Sequence, residues 1–488
     1  MKEAERKLQQ FRRKKADAAM EADSLSDNRR KIAAAAMEDD SLSDNLRKKA
    51  AAAIEADSLF DNYVLESKHV SGRRWTEIRF VDETLKAKTV LVRGQIQTSR
   101  AMEVSSIQCV LTVADNLSGQ MVKFATSLSK EFNVDIEGIV SVPDYPIKRA
   151  TQNVELQITK IYCFNKALPT LPFNIFDPAR SEDDNKKDTC LNFRVLYVCT
   201  PANQQMFRIQ CQVETEFRQY LLSEGFLGID TPKITAGSSE GGALMTICWG
   251  FGSVFEFDSV FRAEKSHNLI YLCEFIGLDL EMEIKEHYSK VMDIVDGLFV
   301  ATFHSLNEKC KKELEAIGNQ YPIEPLKYLR KTLRLTFEEG VQMLKEADVE
   351  VNPLRDLNTE LKRKLGKIVL KKYGTEFYIL HRYPTAVRPF YTMPCYDNPS
   401  YINSFDVFIR GEEIISGSQR VHDPKLLSTR SQSCGIDLKS IEAYIDAFRN
   451  GTDPHGGFGV GLERVVMLFC GLNNIFMIIL YRFLCYLA

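Results

Sequence analysis

The 488-residue sequence has no excess of one charge: 63 Lys and Arg stand against 66 Asp and Glu, for a net charge of −3. That balance excludes a uniformly basic nucleic-acid coat and confines any RNA contact to a local patch. Its 12 cysteines are scattered without a Cys-x-x-Cys pair. They suggest neither a zinc site nor a disulfide framework, and read as reduced thiols in a cytosolic compartment. The N-terminus lacks the apolar core of a signal peptide, and its many acidic residues argue against a mitochondrial transit peptide. The apolar run Ile475 to Ala488 is too short and interrupted for a membrane span. No Walker lysine accompanies the glycines near residue 456, which excludes a P-loop. What is present is ordinary globular composition, 44% hydrophobic and 26% charged, with length for two or three domains.

Residues 1–70 form an extension built on a 17-residue repeat. Asp23 to Asn28 recurs as Asp40 to Asn45 and, with Phe60 replacing the second serine, as Asp57 to Asn62. Alanine-rich helical stretches alternate with Ser/Asp/Asn breaks, and so little apolar surface predicts a mobile segment. Its first part, with Arg6, Lys7, Arg12 and Arg13 around Leu8 and Phe11, reads either as a phosphate-touching amphipathic helix or as a solvated face. Residues 71–165 alternate in short apolar runs (Val90, Val92, Ile96; Val134, Ile136, Val140; Val154, Leu156, Ile158). That patterning predicts a small antiparallel barrel, the OB-fold being one candidate. Residues 166–190, with Pro169, Pro172 and a polar run from Ser181 to Asp188, read as a linker. The rest, 191–488, mixes strands and helices without a regular βαβ rhythm, which predicts an α+β domain. It opens on a helix whose apolar face is Met206, Ile209, Val213, Phe217 and Leu221, closed by Gly225.

Two constellations carry chemistry. In the first, Arg262 and Glu264 are followed by Glu274, Phe275 and Asp279. An arginine fork suits phosphate oxygens and growing negative charge, while the aromatic ring can stack on a base. In the second, Gly456, Gly457, Gly459 and Gly461 precede Arg464 at the start of an apolar helix. Alternate glycines allow close backbone approach and deliver Arg464 and N–H groups to a polyphosphate.

In order and spacing these segments resemble the class II aminoacyl-tRNA synthetases. The helix and strand ending at Pro232 are similar to that family's first motif, Phe261 to Asp279 to the second, and Gly459-x-Gly461-x-x-Arg464 to the third. The barrel-first order is that of the Asp, Asn and Lys subgroup. Ser238 to Gly242 and Arg410 to Arg420 resemble the cytosolic eukaryotic aspartyl enzymes, and the Arg420 fork suits a side-chain carboxylate. The resemblance implies a class II antiparallel-sheet catalytic domain behind an OB-like barrel, acting as an aspartate–tRNA ligase in the cytoplasm. ATP would be bound by Arg262, Glu264, Phe275, Glu413, Gly459, Gly461 and Arg464, with Arg262 and Arg464 catalytic. Aspartate would be bound by Glu240, Asp279, Ser416 and Arg420, and Mg²⁺ by Glu413 and Ser416. tRNA(Asp), L-aspartate and a second copy of the chain are the implied partners, with multi-synthetase association through the N-terminal extension and no membrane.

The sequence departs from that pattern in four places. Only eleven residues separate Gly242 from Val254, with no counterpart of the family's Gln-Ser-Pro-Gln…Lys signature for the substrate. Leu269-Ile270-Tyr271 replaces a His-Arg-His run that supports the phosphates. Seven residues between Arg100 and Gln108 truncate the barrel strand that bears an anticodon-stacking aromatic. The family's Phe-Pro-Arg-Asp ending gives way to the apolar tail. Two other readings therefore stay open: a catalytically impaired paralogue that retains nucleotide or tRNA binding or dimerisation, and an asparagine–tRNA ligase.

Overall fold

A computed structural model describes residues 72–97, 105–112, 119–128, 131–147, 150–165, 192–231, 250–262, 272–322 and 324–479. The 17-residue repeats, the linker, Pro232, Glu240, Glu264, Leu269 to Tyr271 and the end of the apolar tail lie outside the described residues. The chain divides into two compact units, 1–176 and 177–488.

In the first unit the alternating runs become strands β1 (Thr89–Gln95), β2 (Gln108–Val110), β3 (Asn133–Ser141) and β4 (Glu155–Asn165), with helix α1 (Gly119–Ser127) between β2 and β3. The sheet order is β1-β3-β4-β2. β3 pairs antiparallel with both neighbours, and the three-residue β2 joins β4 in parallel. Val90, Val92, Val134, Ile136, Val140, Leu156 and Ile158 pack with Phe124 of α1 into one core, as period-two faces of a half-buried sheet should. Asp135 breaks the pattern, being fully buried. Arg93, opposite it in register, offsets that burial by donating to both carboxylate oxygens at 2.7 and 2.9 Å.

The second unit opens with α2 (Arg194–Val198) and α3 (Pro201–Ser223). Met206, Ile209, Val213, Phe217 and Leu221 of α3 are all buried, and the chain leaves the helix through Gly225 at φ +84°. The strand expected after it is reduced to β5 (Leu227–Gly228). Then follow β6 (Ser253–Phe261), β7 (Glu274–Glu283), α4 (Ser289–Lys309), α5 (Lys311–Gln320), β8 (Leu333–Thr336), α6 (Phe337–Glu346) and α7 (Thr359–Tyr373). The remaining elements are β9 (Phe377–Pro384), β10 (Tyr401–Ile409), β11 (Glu412–Gln419), α8 (Pro424–Ser433), α9 (Glu442–Arg449), β12 (His455–Gly461) and α10 (Leu462–Phe469).

The unit's strands form one eight-stranded sheet, in the order β5-β6-β7-β12-β11-β10-β9-β8. Pairing is antiparallel except at the two edges, where β5 on β6 and β8 on β9 are parallel. Register aligns Phe255, Leu280, Phe458, Gly417 and Phe405 in a row across β6 to β10. The row Phe257, Leu278, Val460, Ile415, Val407 and Ile379 runs beside it. Both rows face α3, α4 and α10 in the main hydrophobic core. The described part of the apolar tail joins the same core through Ile475, Phe476 and Ile478, so it is packing surface.

Phe299 of α4 sits at the centre of this layer, with ring centroids of Phe217, Phe377 and Phe303 at 5.2, 5.4 and 5.7 Å. Phe299→Ala should lower unfolding free energy by about 3–5 kcal/mol, the range for emptying a buried aromatic site. Urea unfolding of the two proteins checks this; a loss below about 1 kcal/mol would show that α4 does not anchor the sheet.

Candidate active site

The opposite face of the sheet is polar, and register sets its content. Glu256 of β6 pairs with Asp279 of β7, Asp279 with Gly459 of β12, Gly459 with Ser416 of β11, and Ser416 with Asp406 of β10. Residues paired in register share a face, and the side-chain period is two. The adjoining row on the same face therefore carries Glu281, Gly457, Ser418 and Ser404.

Gly457, Gly459 and Gly461 line the central strand on this face. They do not form a turn that presents N–H groups to a ligand, as the sequence suggested. They belong to strand β12, whose backbone is paired with β7 and β11. What they supply is room. A Cβ on Gly457 would collide with the Glu281 carboxylate and the Leu280 carbonyl, and one on Gly459 with the Asp279 carboxylate. The two acidic side chains of β7 thus lie across β12 because it has no side chains there.

Arg420, immediately after β11, is buried. Its Nε and Nη2 donate to Glu281 Oε1 and Oε2 at 2.7 and 3.2 Å, and Nη1 donates to Ser418 Oγ at 2.6 Å. Burial works against its charge, but the Glu281 carboxylate holds the guanidinium above its ordinary value. The fork assigned to a substrate carboxylate is therefore oriented by a carboxylate of the chain itself.

Phe275 of β7 lies 5.4 Å below the Arg262 guanidinium. A Cβ on Gly461 would be 3.5 Å from the Phe275 ring and 3.9 Å from Arg464 Cβ, so Gly461 is where the ring and the first turn of α10 converge. Arg262 is exposed at the end of β6, its backbone N–H donating to the Cys273 carbonyl at 2.8 Å. Arg464 Nη2 donates to Glu412 Oε2 at 3.4 Å, and Glu412 also accepts from Arg363 of α7.

Glu413 and Ser416 both point to this side of β11, and both already have cationic partners. Lys362 Nζ donates to Glu413 Oε2 at 2.7 Å, and Arg388 Nη1 to Ser416 Oγ at 2.9 Å. Arg388 also pairs with the buried Asp406 at 2.5 Å and stacks on Tyr383 at 3.9 Å. Burial raises the Glu413 carboxyl above its ordinary value, Asp406 adds to the rise, and Lys362 opposes it.

The structure thus gathers Arg262, Phe275, Asp279, Glu413, Ser416, Arg420, Gly459, Gly461 and Arg464 on one face and its rim; Glu240 and Glu264 lie outside the described residues. Sequence reasoning misses Glu281, Asp406, Arg388 and Lys362. A signal existed for Asp406: one acid inside the apolar run 405–409 is costly to bury unless paired.

The sequence model of the family described as tRNA synthetases class II (D, K and N) matches residues 186–247 and 243–483. The two stretches meet where the sequence is shortened. The chain is 54% identical to the cytoplasmic aspartate–tRNA ligase 2 of Arabidopsis thaliana over 454 residues, 83% of this chain and 81% of the relative. It is similar to the solved aspartyl tRNA synthetase of Entamoeba histolytica, with TM-score 0.77, 37% identity, and coverage of 85% of this chain and 93% of that one. An asparaginyl-tRNA synthetase from Pyrococcus horikoshii shares the fold at 24% identity and TM-score 0.69, over 84% and 98% of the two chains.

Glu463 fixes α10 to the sheet by accepting the Ile276 N–H at 3.1 and 3.2 Å. Burial pushes its carboxyl up to about 7 from 4.5. An acid raised in the folded state contributes stability that is full below its unfolded value and is lost as pH rises through the folded one. Stability should therefore fall between pH about 4.5 and about 7, by roughly 3 kcal/mol from this group. Glu463→Gln should flatten that decline, as read from urea midpoints at pH 5 and 7.5; parallel profiles would remove the assignment.

Proposed function

Because the chain belongs to the class II tRNA synthetases, and within them to the aspartate–tRNA ligases, we infer that the polar sheet face is where L-aspartate and ATP react. The protein is an aspartate–tRNA ligase. The α-carboxylate of aspartate attacks the α-phosphate of ATP, pyrophosphate leaves, and a terminal hydroxyl of tRNA(Asp) takes the aspartyl group from the adenylate. No protein nucleophile is needed, so catalysis is positioning and charge stabilisation.

The observation that carries the residue assignment is the shared face on which Asp279, Ser416 and Arg420 lie beside the Phe275–Gly461–Arg464 cluster. Phe275 stacks on adenine, Arg262 neutralises the α-phosphate as charge grows there, and Arg464 takes the γ end. Glu264 completes the ATP site, and Glu240 the aspartate site. Asp279 meets the substrate ammonium. Arg420 takes the side-chain carboxylate: three of its bonds go to Glu281 and Ser418, and a guanidinium has five N–H donors. An amide substrate would use such a fork poorly, which favours aspartate over asparagine.

Glu413 and Ser416 suit Mg²⁺, a hard cation that takes few protein oxygens and completes its shell with phosphate and water. Among the described residues no group of three or more His, Cys, Asp or Glu could hold a metal ion. Charge supports the fit, since a cation would offset the like-charge crowding of Glu413 and Asp406. When bound, Mg²⁺ would neutralise phosphate charge. The first unit, truncated before β2, serves as the OB-like tRNA-binding part, and α3 with Pro232 provides the homodimer surface. The chain works in the cytoplasm, as its relatives do by name; no helix among the described residues is long and apolar enough to cross a membrane.

Pyrophosphate exchange into ATP by the full chain tests the reading. It should depend on aspartate and not on asparagine, and Arg464→Ala should lower kcat by roughly 10²–10³. Asparagine-dependent exchange would assign the chain to the sister activity. Absence of exchange would leave a binding protein, and undiminished exchange in the variant would remove Arg464 from catalysis.

A further inference from the structure

Lys362 is the one cation of α7 that reaches Glu413 in the described structure, and its surroundings are unusual for a lysine. Its side chain is 14% exposed, with Nζ 2.7 Å from Glu413 Oε2 on the inside and 3.6 Å from Asp356 Oδ2 on the outside. The ammonium is therefore a positive charge held between two carboxylates.

The helix that carries it is fixed. Asn358 caps α7 by accepting the Leu361 N–H at 2.9 Å. One turn beyond Lys362, a Cβ on Gly366 would stand 2.6 Å from Gly411 Cα; α7 therefore lies backbone to backbone on the turn that joins β10 and β11. With the helix held this closely, Lys362 can leave Glu413 only by side-chain rotation. Asp356 is half-exposed and lies on the solvent side of that movement. The side chain thus has an inner acceptor and an outer one.

We propose that Lys362 is an internal substitute for the divalent cation at Glu413, which ATP-bound metal must displace toward Asp356, so that Lys362 sets the metal concentration this chain requires. The proposal rests on the reading of Glu413 as a metal ligand. One carboxylate oxygen cannot serve an ammonium at hydrogen-bond distance and a small dication at the same time, so the two compete. Glu413 does not lose its charge partner when metal is absent, which keeps β11 in place between turnovers.

The test is Mn²⁺ binding to the full chain in the presence of a saturating non-hydrolysable ATP analogue, with unbound Mn²⁺ read by electron paramagnetic resonance. Lys362→Gln and Lys362→Met should each tighten Mn²⁺ roughly tenfold, equivalent to about 1.4 kcal/mol. Asp356→Asn, which removes the outer acceptor, should weaken it. Lys364→Gln on the same helix, whose lysine pairs with Glu360 at 2.8 Å, should leave it unchanged. Cooperative thermal unfolding verifies that each variant is folded. Unchanged or weaker Mn²⁺ binding in a folded Lys362 variant overturns the proposal while leaving Glu413 as a ligand. If Glu413→Gln leaves Mn²⁺ affinity untouched, the metal reading of Glu413 fails, and the proposal with it.

Discussion

The absence of side chains at Gly457, Gly459 and Gly461, on one face of β12, is the constraint on which the site depends. β12 sits in the middle of the sheet, between β7 and β11, and its alternate positions 457, 459 and 461 are glycine. On the other face of the same strand, Phe458 and Val460 enter the hydrophobic core. One strand thus meets two demands through period-two alternation: bulk toward the helices and vacancy toward the solvent side. Into that vacancy come the carboxylates of Asp279 and Glu281 and, at its end, the Phe275 ring. A side chain at 457 or 459 would expel the acids, and Arg420 would lose the partner that orients it.

Charge balance follows from this arrangement. The face and its rim concentrate Glu281, Asp406, Glu412 and Glu413, and the chain answers with Arg420, Arg388, Lys362, Arg363 and Arg464. Burying Glu281, Asp406 and Glu412 without counterions would cost several kcal/mol each. The pairing therefore serves the fold. On the reading proposed above, substrates would meet a surface whose charges are largely matched, and binding would exchange partners, as a metal at Glu413 would displace Lys362.

Much of this was legible in the sequence, and the limits have physical causes. The apolar spacing of α3 identified its buried face, because a 3.6-residue period records which side meets the core. The alternation around Val90 and Val134 identified strands in the first unit. The grouping of Arg262, Phe275, Asp279, Arg420 and Arg464 followed from family resemblance, and the structure brings these residues to one face or its rim. What the sequence did not reveal were partners across strands: Glu281 for Arg420 lies 139 positions away, and Lys362 for Glu413 lies 51 away. Such pairs depend on register and helix docking, which no local pattern records. The glycines were recognised as permitting close approach, but what approaches is the side chains of β7, a fact that only the pairing of β7 with β12 discloses.

The central claim is that vacancy at β12 makes the aspartate-activating face. Aspartate-dependent pyrophosphate exchange by a folded Gly459→Ala chain tests it most directly, since the added methyl group collides with Asp279 and leaves the ionisable groups chemically unaltered. The account predicts exchange reduced by at least about tenfold, the effect of displacing a positioned group, with cooperative unfolding retained. Exchange at the unmodified rate in that folded variant would contradict it.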